Sequence, residues 1–93
     1  MNKNYISERR LEIGNRIREA RIHAKVTQAH AAELIECSRI HINRVEQGTT
    51  DLTGIQLELL AQAFNVPVTY FFRRLEEYSE DIPSQQAARP EPT

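Results

Sequence analysis

The chain has 93 residues, 40% of them hydrophobic and 27% charged, with a formal net charge of −1, from which one ordinary globular domain without a separate effector-binding domain is expected. No apolar run approaches the ~18 to 20 residues of a membrane span, and Met1 to Tyr5 lacks the apolar centre of a signal peptide, so the expected location is the cytoplasm. A single cysteine, Cys37, excludes an intramolecular disulfide and has no partner at zinc spacing; a small buried thiol is the plain expectation and redox sensing the alternative.

In chain order, Met1 to Ile6 has no pattern and reads as a frayed end, with Lys3 and Asn4 available as an arm toward a polyanion. Ser7 is a plausible N-cap, and Ile13, Ile17, Ala20 and Ala24 recur at helical spacing, predicting helix one from Ser7 to about Ala24. Arg9, Arg10, Arg16 and Arg18 fall off that stripe beside Glu8, Glu12 and Glu19, as expected of a solvated face. Thr27 then caps a short helix two over Gln28 to Leu34, with Ala31, Ala32 and Ile35 inward. Glu36 and Cys37 break the pattern, Ser38 is a second N-cap, and Ile42 and Val45 face the core of a helix three that stops near Gly48. The outward face of helix three carries Arg39, His41, Asn43, Arg44 and Gln47, which include donors suited to base edges in the major groove of DNA, together with Ile40, an isoleucine with no evident core to enter.

Thr49 to Leu52 reads as a loop. Thr53 and Gln56 form a capping box for helix four, whose Leu57, Leu60, Ala61 and Phe64 keep helical spacing. Asn65 suits a left-handed stop, and Pro67 suits the first turn of a helix five carrying Val68, Phe71, Phe72 and Leu75 and ending near Tyr78. Residues 79–93 are polar, proline-containing and without period, which predicts a disordered acidic tail after a domain spanning 7–78. The whole is an all-α, five-helix expectation.

Net charge becomes informative once divided. Residues 1–50 hold nine Lys or Arg against six Asp or Glu, a surplus of +3, whereas residues 51–93 hold three against seven, a surplus of −4. The basic half is the half with the two short helices, as a polyanion-binding patch requires. No enzyme is expected: His23, His30 and His41 fall on three predicted helices without metal-ligand spacing, and Gly14, Gly48 and Gly54 form no phosphate-cradling loop. Neither metal nor cofactor is predicted.

Thr27-Gln28, Ala32, Ser38, Ile42, Val45-Glu46 and Gly48 at this spacing resemble the helix-turn-helix of the λ repressor and Cro-like (XRE-type) family, over about Ile13 to Phe72. Members usually carry glycine where this chain has Lys25 and Glu36; if those residues keep φ > 0, each costs roughly 1 to 2 kcal/mol. The resemblance implies a bacterial transcription regulator, in repressor form, that binds double-stranded DNA as a homodimer on a palindromic operator and is nucleoid-associated when bound. Carried over by position, it puts Arg39, Ile40 and Arg44 against bases and Gln28 and Ser38 near flanking phosphates. Gln47, Thr49 and Thr50 then lie on the backbone past the helix end, and Thr27, His41 and Asn43 complete the DNA-binding set. Ile40 either meets a thymine methyl or is a tolerated exposed residue. The resemblance also implies a partly buried ion pair between Arg21 and Glu46. For the dimer interface the aromatic cluster Tyr70, Phe71 and Phe72 with Leu75 and Tyr78 is the chosen patch, against the alternative that these aromatics close the monomer core. The rival function is a protein-interaction module on the same fold, such as an adaptor or an antitoxin, with a regulatory protein partner.

Overall fold

Side-chain caps set three of the helix starts in this chain. The computed structural model describes residues 3–74 and holds four α-helices, α1 (Lys3–His23), α2 (Gln28–Leu34), α3 (Arg39–Glu46) and α4 (Gly54–Phe64), followed by a 3-10 helix, η1 (Val68–Phe72). Thr27 Oγ1 accepts the His30 amide at 3.0 Å, and Ser38 Oγ accepts the His41 amide at 3.0 Å. At α4 the box is reciprocal: Thr53 Oγ1 accepts the Gln56 amide at 3.1 Å while Gln56 Oε1 accepts the Thr53 amide at 3.0 Å. Each such cap contributes about 1 kcal/mol by satisfying an amide that the helix itself cannot.

The stops use left-handed backbone. Lys25 (φ 62°), Glu36 (φ 59°) and Asn65 (φ 61°) all adopt it without being glycine, and Gly48 adopts it at φ 80°. Lys25 and Glu36 therefore carry the strain that the sequence posed as a condition.

Two expectations are corrected. Helix one begins at Lys3 and not at Ser7, so Asn4 to Ile6 are part of the helix and not a frayed arm; the Arg74 guanidinium lies 5.7 Å from the Tyr5 ring centre, a tertiary contact to that first turn. The fifth helix is not an α-helix but the five-residue η1. Its run Val68-Thr69-Tyr70-Phe71-Phe72 combines β-branched and aromatic residues of low helix propensity. The carbonyls that a longer helix would have engaged are taken by side chains from α1: Arg9 Nη2 donates to Phe72 O at 3.1 Å, and Arg16 donates to Arg73 O at 3.3 Å and to Arg74 O at 3.2 Å. The expected end of helix five near Tyr78 and the expected tail over 79–93 lie outside the described residues.

All five elements share one core, centred on Ile17 of α1, Ala31 of α2, Ile42 of α3, Leu60 of α4 and Phe71 of η1. Phe71 is fully buried, edge-on to Phe64 with ring centres 6.5 Å apart. Two glycines let the helices meet closely. A Cβ on Gly14 would overlap the Val45 carbonyl oxygen and come within 2.9 Å of the Glu46 one, so α1 and the end of α3 are in backbone contact there. A Cβ on Gly48 would lie 2.9 Å from Leu11 Cα. Arg10 adds a bidentate contact to Asp51, 3.0 and 2.9 Å, which ties α1 to the loop after α3 and raises the Arg10 pKa through that hydrogen bond and the carboxylate charge.

Candidate nucleic-acid interface

The seat of α3 decides which of its side chains are available. Ile42, Val45 and Glu46 point inward and are buried, which leaves Arg39, Ile40, Arg44 and Gln47 exposed on the opposite side and His41 and Asn43 half-buried at the edges. Ile40 keeps 56% of its surface in contact with solvent, so it has no core role.

Glu46 is the buried anchor of this arrangement. Its carboxylate accepts from Arg21 Nε at 2.6 Å and from Arg21 Nη2 at 3.1 Å, with side-chain exposures of 12% for Arg21 and 2% for Glu46. Arg21 also donates to Val26 O at 2.8 Å, so one guanidinium joins α1, the turn after it and the end of α3. Gln28, at the start of α2, donates to Glu46 Oε1 at 3.0 Å and to Asn43 Oδ1 at 3.3 Å, and its own Oε1 accepts from Arg39 Nη1 at 3.2 Å. Arg39, Asn43 and Glu46 are spaced four and three along α3 and so form one stripe facing Gln28.

The other expected contacts are distributed as follows. Thr27 and Ser38 are exposed caps whose hydroxyls accept from His30 and His41. Thr49 is exposed, but its hydroxyl donates to Arg44 O at 3.0 Å and so serves the end of α3. Thr50 is half-buried. Of the expected dimer patch, Phe71 belongs to the monomer core, a correction that follows from its packing on Phe64. Tyr70 is half-buried, with its hydroxyl donating to Glu19 Oε1 at 3.2 Å; burial first, and then the Glu19 charge, raise its pKa. Phe72 is 42% exposed, and Leu75 and Tyr78 lie outside the described residues. Burial likewise pushes the half-buried Cys37 thiol up, away from thiolate reactivity.

Three arginine and asparagine roles were not anticipated. Asn15 and Arg18 of α1 line a polar cleft of about 450 Å³ together with Arg21, Gln28, Asn43, Glu46 and Gln47. Arg18 is exposed and shares with Gly14 and Arg21 the α1 face that meets α3, a spacing of four and three that the sequence already contained. Arg16, expected on a solvated face, is 1% exposed and pairs with Glu19 at 2.7 Å besides holding the two carbonyls after η1. It lies three after Ile13 and four before Ala20, on the core side of the helix, which was the available signal. Among the described residues no group of three or more His, Cys, Asp or Glu could hold a metal ion, and no helix is long and apolar enough to cross a membrane.

A family model for the helix-turn-helix matches residues 17–71. Among solved structures the chain is similar to the restriction-modification controller protein C.AhdI from Aeromonas hydrophila, at 25% identity and a TM-score of 0.62, over 68% of this chain and 96% of that one. It is similar in fold to a hypothetical transcription factor, NHTF, from Neisseria, at 18% identity and a TM-score of 0.67, over 77% of this chain and 83% of that one. No match was found among curated protein sequences.

Proposed function

The chain belongs to the λ repressor and Cro-like (XRE-type) helix-turn-helix family, and from that premise we propose that it is a sequence-specific DNA-binding transcription regulator, a repressor that acts as a homodimer on a palindromic operator. The observation that carries this reading is the outward face of α3. Arg39, Arg44 and Gln47 stand exposed beside half-buried Asn43 while Ile42, Val45 and Glu46 anchor the helix from below. Arginines on a helix of this kind match the acceptor pairs of guanine, and the amide of Asn43 matches adenine. The likeness to a restriction-modification controller protein supports a regulatory role of the same class.

Within this reading Arg39, Ile40 and Arg44 face bases, with Asn43 and His41 at their flanks, while Ser38, Thr27, Gln47 and Thr50 approach the backbone. Arg18 and Asn15 add an α1 contribution from the polar cleft, and Arg18 supplies a donor for a phosphate. The two copies meet through apolar side chains left exposed, Phe72 with Ile55 and Leu59 of α4, and on sequence grounds Leu75 and Tyr78.

A gel-shift titration on the DNA upstream of the protein's own gene, repeated at several salt concentrations, tests the reading. Affinity should fall steeply with salt, because each neutralised phosphate releases a counterion. Arg44→Ala should lose about 1 to 3 kcal/mol at one base pair and relax preference there, while Arg18→Ala should weaken all sequences alike. No binding at low salt to that fragment or to genomic DNA in general would favour a protein-interaction module instead.

A further inference from the structure

Asp51 is the one acidic residue between Glu46 and Glu58, and it stands in the loop that leaves α3. That end of α3 is negative on two counts. The last carbonyls of a helix carry the negative end of its dipole, and the Asp51 carboxylate, 62% exposed, adds a full charge to the loop that follows. Both are answered from within the chain. Thr49 gives its amide and its hydroxyl to Arg44 O, each at 3.0 Å, and Gly48 gives its amide to Val45 O at 3.0 Å. Arg10 of α1 meets Asp51 with its fork, Nε to Oδ1 at 3.0 Å and Nη2 to Oδ2 at 2.9 Å. An exposed pair of this kind adds little to stability, because water screens it and a long side chain must be ordered to make it. Its larger effect is on the field that an approaching polyanion meets.

We propose that Arg10 is a positioning residue for the DNA backbone: it neutralises Asp51, so that the loop after α3 can be set against a phosphate. This rests on the DNA-binding reading above, in which Gln47 and Thr50 approach the backbone. A tie that only held the loop to α1 would be broken alike by losing either partner. A neutralising pair responds with opposite signs. Removing Arg10 uncovers a negative charge that repels the phosphate, whereas removing Asp51 releases an arginine whose Nε and Nη2 donors can then turn to it. A phosphate carries no sequence information, so both changes act on every sequence alike.

The experiment measures the affinity of the full chain and of its Arg10→Ala, Asp51→Ala, Arg10→Lys and Arg10→Ala/Asp51→Ala variants. The probes are the DNA upstream of the protein's own gene and a shuffled duplex of the same length, at several salt concentrations. Arg10→Ala should bind both duplexes roughly 3- to 10-fold more weakly at low salt, the effect of one uncovered unit charge near a phosphate. Asp51→Ala should bind both more tightly by a similar factor and steepen the salt dependence by about one phosphate equivalent. The double variant should return to near wild-type affinity, and Arg10→Lys, which keeps the charge without the fork, should stay within about twofold of wild type. In DNA-free protein, ¹⁵N relaxation of the Arg10 Nε–H should report an ordered group in the wild type and a mobile one in Asp51→Ala. Weaker binding by both single variants, no change in either, or a double variant as weak as Arg10→Ala would overturn the assignment. If Arg10→Ala does not fold, the sign for Asp51→Ala alone decides. A wild-type chain that binds neither duplex at low salt would overturn the DNA reading and this proposal with it, while the relaxation measurement reports on the Arg10–Asp51 pair without DNA.

Discussion

Deleting the Glu46 carboxylate, whose side chain is 2% exposed, would leave the 12% exposed Arg21 without its charge partner and one amide proton of Gln28 without its acceptor. An unpaired buried charge of this kind costs roughly 3 to 5 kcal/mol, whereas an exposed pair would cost under about 1. Glu46→Ala should therefore lower the melting temperature by more than about 10 °C for a domain of this size, with DNA affinity falling through the folded fraction. A shift of only a few degrees by calorimetry would mean that the pair is solvated. The strained turns predict the reverse sign. Lys25→Gly and Glu36→Gly each relieve a left-handed residue at a cost in unfolded-state entropy, for a net gain of about 0.5 to 1 kcal/mol. Urea midpoints should rise with m unchanged; a lower midpoint for either variant would show that its side chain contributes more than its backbone strain costs.

Elements in this chain are legible where a local rule dictates them and illegible where tertiary contacts do. Thr27, Ser38 and the Thr53–Gln56 box announce α2, α3 and α4 because a cap and the apolar spacing behind it lie within four residues of sequence. The outward face of α3 was readable for the same reason. The fifth element was not, since Arg9 and Arg16, about 60 residues earlier, take its last carbonyl and the two that follow it, contacts that no local spacing announces. Nor could spacing alone reveal that Gln28 turns inward toward Glu46, because nothing in a run of residues says how closely α2 and α3 cross. Gly14 belongs with these non-local facts, and it carries the element-scale prediction. Gly14→Ala would drive a methyl into the Val45 and Glu46 carbonyls, which are backbone and cannot rotate away, so α1 and α3 must separate. That overpacking should cost about 1 to 3 kcal/mol and displace Glu46 from Arg21. The check is a melting curve alongside Gly54→Ala, where a Cβ meets nothing within 4 Å. Equal stability of the two variants would contradict the backbone contact.

At the scale of the whole molecule the question is what covers the apolar side chains that the monomer leaves out. Phe71 has gone into the core, but Phe72 remains 42% exposed, and on α4 Ile55 and Leu59, one turn apart, are 70% and 40% exposed. A single recognition helix contacts too few base pairs for tight specific binding, and two helices related by a two-fold axis would read half-sites about 10 to 10.5 base pairs, or a multiple, apart. A second copy meeting this one through the α4 and η1 side would answer both needs at once, burying the exposed residues and leaving α3 of each copy free for DNA. Sedimentation equilibrium at micromolar concentration without DNA should then report a dimer, and Leu59→Glu with Phe72→Glu should report a monomer whose circular dichroism spectrum is unchanged, since neither side chain is in the core. The same double variant should bind an isolated half-site as the wild type does yet lose about tenfold or more on the full operator, because only the linkage of two half-sites is removed. A wild-type monomer would refute the dimer, and a double variant that still sediments as a dimer would move the interface to another face.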